Sequence, residues 1–244
     1  MSEELKNEQG EINADNAELS REEQEKKYFA MLAEQKKTDP LIGVSKGSED
    51  IFKSLMMITR DDKGVVNIHD VTLYAAGLAG YACQAVCVET NLIRDKKQFN
   101  ELFHLIVTPK GEKYIFGDCI NEYLFTSNHS VWNLVLGMYK HMYTSLKAPS
   151  PAGHIKKVVE SLGNPDYMVC GEYKPEALVD MLGLVWKNLA PKMSRYCPNP
   201  EEWPVLYAMV LQKVLGASKG VIDPNISMNF IAEMLVFSSK MYLN

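Results

Sequence analysis

Hydrophobic side chains recur every three to four positions along most of this chain, the spacing that keeps them on one face of a helix. Ser20-Arg-Glu-Glu23 has the spacing of a capping box, so a first helix is expected from Ser20 to about Lys37, with Tyr28, Met31, Leu32 and Gln35 on one side and Asp39-Pro40 at its end. A second helix carries Ile51, Phe52, Leu55, Met56 and Ile58, with Ser48 as its expected cap and Asp61 to Gly64 as its stop. Further on, Ser130 is placed to cap a helix from Val131 to Leu146, and Pro151 to Leu162 reads as a compact helix closed by Gly163-Asn-Pro165. Pro175, Pro200 and Pro224 each stand where the amide-free first turn of a helix accepts proline.

Two stretches break this pattern. Val71 to Val88 is apolar almost throughout, with only Thr72 and Gln84 clearly polar, and it meets the length of a membrane span. Its chemistry fits that role poorly. Most of its residues are Ala, Gly, Cys and Tyr, which give little transfer free energy into hydrocarbon, and charged residues close in at both ends. The expectation is a buried core helix, capped by Asp70, on which Ala76, Gly80, Cys83 and Cys87 form one face of small side chains that a second helix approaches closely. The other exception is Phe103 to Thr108 and Lys113 to Phe116, two β-rich runs around Pro109-Lys-Gly-Glu112, which read as a hairpin. A lone hairpin is marginal in water and needs helices, another strand or a second copy of itself as support.

Together these elements predict a mainly α protein, a single helical-bundle-like domain with a central Ala/Gly-rich helix and one β-hairpin. Residues 1–19 form an acidic tail with too few apolar side chains to offset ordering entropy, residues 20–38 an amphipathic helix, and residues 39–244 one mainly helical domain. Lys147 to Gly153 is the one internal stretch that resembles a boundary, and it is as well suited to joining two helices.

Charge narrows the partners. Residues 1–39 hold eleven acidic against six basic side chains, whereas residues 40–244 hold 20 of each sign. A neutral body without clustered Lys and Arg lacks the field that phosphate binding needs, which argues against nucleic acid. The N-terminus has no basic and apolar export signal, and five cysteines, an odd number, fit reduced thiols in the cytoplasm.

Candidate chemistry is sparse. Asp118 and Glu122 share a helix face, and nearby Cys119 and His129 are of the types used in nucleophilic catalysis, so a hydrolase or transferase built on Cys119, His129 and Asp118 or Glu122 is one reading. No nucleophile elbow or metalloprotease motif accompanies them, and Asp118 and Ser130 also serve as helix caps. Cys83 and Cys87 lack the further ligands of a metal site, Gly43 to Ser48 reads as a capped turn rather than a phosphate loop, and no cofactor fingerprint is present. The first expectation is therefore a non-enzymatic interaction protein, engaging a protein partner or itself. A small-molecule binder with an apolar pocket between the Ala-rich helix and the hairpin is a further reading.

Overall fold

The computed structural model describes residues 20–90 and 96–242. The tail expected over residues 1–19 lies outside them. The chain divides into two compact units, one reaching to Ile42 and one from Gly43 onward.

The described part of the first unit is helix α1 (Arg21–Gln35) and the turn after it. Its start follows from the capping box: the Glu23 amide donates to Ser20 Oγ at 3.3 Å, and the Ser20 amide donates to Glu23 Oε2 at 2.8 Å.

The second unit is mainly α, with one antiparallel two-stranded hairpin. Its helices are α2 (Ile42–Ile58), α3 (Ile68–Thr90), α4 (Lys96–Leu102), α5 (Asp118–Asn121), α6 (Val131–Met142), α7 (Ala152–Ser161), α8 (Pro175–Tyr196), α9 (Trp203–Ser218) and α10 (Pro224–Lys240). The hairpin is β1 (His104–Val107) and β2 (Lys113–Phe116), in a register that sets Ile106 opposite Tyr114.

The Ala/Gly-rich helix is the centre of this unit. Helix α3 packs against α10, α9, α8 and α5, and its residues from Val71 to Cys87 are largely buried. It is the one helix among the described residues long and apolar enough to cross a membrane, and most of that stretch is enclosed by the protein. The small face works as a close-approach surface: a Cβ added at Gly80 would stand 2.5 Å from the Leu235 carbonyl oxygen and closer still to Ser238 Oγ, both on α10. Gly77 performs the same service toward α8, where a Cβ would meet Leu182 Cδ2 at 2.6 Å. Gln84, the polar exception on this helix, is buried and donates to the carbonyls of Ser239 (3.2 Å) and Met241 (2.9 Å), satisfying acceptors that the end of α10 leaves open.

Two expected caps are corrected. Ser48 caps nothing: α2 begins at Ile42, and Ser48 lies inside it, fully buried, with its hydroxyl donating to the Ser45 carbonyl at 2.8 Å. The Gly-containing start is held helical by packing, because Val44 is fully buried and Gly47 lies so near Leu206 and Tyr196 that a Cβ would meet each at 2.8 Å. Gly43 to Ser48 is thus helix, not a capped turn. Asp70 sits within the first turn of α3, and the capping side chain is Asn67, whose Oδ1 accepts from the His69 amide at 3.0 Å. Ser130 caps α6 as expected, accepting from the Asn133 amide at 3.3 Å. That helix ends at Met142 rather than Leu146, where Tyr143 leaves helical geometry.

Candidate functional site

Three places in the second unit gather chemistry or unsatisfied surface. The first lies where the end of α10 meets the hairpin, α5 and α3. Cys119 and Asp118 line a concavity of about 470 Å³ together with Glu101, His104, Phe116 and Lys240. Lys240 arrives from the last turn of α10 and is 5% exposed. Its Nζ donates to Asn121 Oδ1 at 3.2 Å and stands 5.4 Å from the Phe116 ring centroid, a cation–π distance. Burial lowers its pKa, while the thiols of Cys83, Cys119 and Cys87 and the Asp118 carboxylate act the other way.

The thiols there differ in kind. The Cys87 thiol, on α3, donates to the Cys83 carbonyl at 3.2 Å and also meets the Cys119 side chain, an interaction that raises the Cys87 pKa and lowers that of Cys119; burial pushes Cys87 up further. Backbone amides of Ile120 and Cys119 also favour the Cys119 thiolate. Cys83, fully buried, is pushed up by desolvation and donates to the Ala79 carbonyl at 3.3 Å. Cys119 is therefore the member of the group with thiolate character and access to solvent.

The sequence-derived site residues separate. Cys119 and Asp118 share the concavity. Glu122 is exposed at the start of a π-helical segment, Glu122–Thr126, that continues α5. His129 is exposed in the turn before α6, with its amide donating to Ser127 Oγ at 3.2 Å, and does not line the concavity. The histidine that does is His104, brought by β1. Asp118 does not cap α5; the capping position is Gly117, in extended conformation and without a side-chain bond.

The second place is a carboxylate cluster that sequence reading missed. Glu233, on the inward face of α10, is 4% exposed. It accepts from Lys157 Nζ (2.7 Å), the Cys170 amide (2.8 Å) and Tyr167 OH (3.4 Å). His154 Nδ1 lies 3.7 Å from it, an ion-pair distance too long for a hydrogen bond, while His154 Nε2 meets Asn229 Oδ1 at 3.1 Å. Burial alone would raise the Glu233 pKa, but His154, Lys157 and the Cys170 amide outweigh it and bring the carboxyl down to about 2. The same proximity raises the His154 pKa. Cys170 itself has φ +56°, a left-handed conformation that an L residue adopts at a cost, and the Glu233 carboxylate holds its amide in place. The cluster ties α7 and the 163–174 loop to α10.

Comparison of the chain with protein-family models, curated proteins and solved structures returns no match. Among the described residues no group of three or more His, Cys, Asp and Glu side chains is placed to hold a metal ion. A surface concavity of about 710 Å³ lies between the 59–67 turn, α3 and α8, lined by Arg60, Asp61, Asp70, Tyr74 and Tyr173 among others. No hairpin residue lines it, and its wall combines those groups with Ile58, Val65, Leu73 and Met181.

The third place is the outer edge of β1. The Thr108 amide donates to the Glu112 carbonyl at 2.9 Å, which makes that pair hydrogen-bonded and, by alternation, makes Ile106–Tyr114 hydrogen-bonded as well. The backbone groups of Leu105 and Val107 consequently point away from β2. The equivalent outward edge of β2 is covered by the end of the chain, since Tyr114 bridges to Met241 and the Tyr242 amide donates to the Lys113 carbonyl at 3.2 Å. Nothing among the described residues pairs with the outer edge of β1.

Proposed function

We propose that this chain is a non-enzymatic, cytoplasmic interaction protein that self-associates by pairing β1 with β1 of a second copy. The observation that carries the reading is the exposure of Leu105 (42%), Ile106 (50%) and Val107 (55%), three consecutive aliphatic side chains on an open strand edge. Natural sheets blunt such edges with charge, proline or a bulge. This strand carries no formal charge beyond His104 and has no proline within it.

The backbone alternation favours one register for such a pairing. Leu105 and Val107 offer outward N–H and C=O groups, so an antiparallel two-fold arrangement sets Leu105 of one copy against Val107 of the other, each pair exchanging both hydrogen bonds. Ile106 then faces Ile106 of the second copy across the two-fold axis. With no like charges opposed, the strand is compatible with its own copy. A pairing this short buries less than the roughly 1,200 Å² of a stable interface, so the association is weak and concentration-dependent.

Sedimentation velocity over a concentration series tests this. The wild-type coefficient should climb toward that of a dimer, while Ile106→Lys, with an unchanged far-UV spectrum, should stay monomeric. A wild-type chain that remains monomeric at its highest soluble concentration overturns the proposal. So does an Ile106→Lys chain that dimerises as the wild type does.

A further inference from the structure

We propose that Cys119 and Cys87 are a reversible thiol pair, with Cys119 attacking a hydroperoxide that enters the concavity beside Lys240 and Cys87 closing the disulfide. The thiol chemistry does not require strand pairing at β1.

Three observations converge on this pair. The two thiols come from separate elements that pack together, α3 and α5, and lie close enough for each to act on the other. Only one of them is reachable: Cys119 lines the concavity and is partly exposed, whereas Cys87 is fully buried behind it. A nearly buried cation, Lys240, lines the same concavity, and its field favours an anion on either sulfur or on the oxygen that leaves.

The other cysteines lack this combination. Cys83 and Cys197 are fully buried, and although Cys83 and Cys87 both donate to a carbonyl one turn back, it is Cys87 that the Cys119 side chain meets. Cys170 lies beside the Glu233 carboxylate, which opposes a thiolate, and its sulfur contacts the Phe230 carbonyl at 3.7 Å.

The chemistry balances without a metal or cofactor. The Cys119 thiolate attacks one peroxide oxygen, the O–O bond breaks, and the departing hydroxide takes up a proton to leave as water. Cys119 is then a sulfenic acid. The Cys87 sulfur attacks the Cys119 sulfur, the S–S bond forms as the S–O bond breaks, and the second water leaves with the Cys87 proton. The two thiols lose two electrons in total, and hydrogen peroxide gains them.

The full chain, reduced and desalted, is treated with an equimolar amount of hydrogen peroxide, alkylated and mapped by mass spectrometry. The expected product is a Cys87–Cys119 cross-linked peptide that disappears on addition of dithiothreitol. In Cys87→Ser the reaction should stop at Cys119 sulfenic acid, captured by dimedone. Full alkylation of both Cys87 and Cys119 after treatment, with Cys170 or no cysteine oxidised, overturns the proposal. The wild-type map decides the matter even if a variant fails to fold. A wild-type map in which Cys87 is joined to Cys83 instead also overturns it.

Discussion

Glu233 has the most at stake of any single side chain. It gathers four polar partners in a buried setting, and an amide in its place keeps a single acceptor oxygen for the Cys170 amide and Lys157 and loses the negative charge that holds Lys157. A charged hydrogen bond of this kind contributes about 2 kcal/mol, reduced where Lys157 remains half-exposed to water. Glu233→Gln should therefore lower stability in urea denaturation by about 2 kcal/mol at neutral pH. The pH dependence has two arms. The carboxyl is pulled from 4.5 down to about 2, so its contribution is in place above 4.5 and is lost as pH falls through about 2. His154 is raised above 6.5, so its contribution is full below 6.5 and disappears as pH rises through the raised folded value. The stability gap between wild type and His154→Gln should accordingly be widest in mild acid and close at alkaline pH. A gap that does not vary across that range contradicts the assignment. Little of this was legible in the sequence. Glu233 stands among Ile231, Met234 and Leu235 as an ordinary acid on an apolar helix, and its partners are more than sixty residues away in the chain.

Among elements, hydrophobic period placed the helices and β-composition placed the hairpin, because both signals are local. Starts were legible where a side chain alone decides them, as at Ser20 and Ser130. They failed where packing decides. Gly43 and Gly47 weaken a helix intrinsically, yet the fit of Gly47 against α9 and the end of α8 makes those turns helical. The π-helical turn after α5 and Pro191 inside α8 likewise had no local signal. The close approach at Gly80 of α3 was legible, and it carries a prediction at this scale. Gly80→Leu forces α10 away from α3, since backbone stands in the path of the new side chain, and should cost about 3 kcal/mol or more in denaturant unfolding. A midpoint equal to wild type would contradict the close approach.

For the molecule as a whole, net charge sits almost entirely before residue 40 and leaves the larger unit formally neutral. Self-association through β1 should then be nearly indifferent to ionic strength, because the paired strand opposes no formal charges apart from His104. Sedimentation in low and high salt checks this; a dimer that dissolves in salt would point to a charged face instead. The candidate thiol site shows why whole-molecule assembly defeats sequence reading. Cys119 and Asp118 are sequence neighbours and were found, but His104, Cys87 and Lys240 join them only through the fold, whereas His129, ten residues from Cys119, lies outside.

The bonds from Gln84 to the end of α10 span 155 and 157 residues of sequence. During synthesis, α3 is made early and its lid late, so a greasy segment long enough to interest a membrane-insertion machinery waits uncovered while the intervening helices emerge. Production of this protein should lean on chaperones that shield nascent apolar chains, and fragments stopping short of α10 should collect as insoluble material.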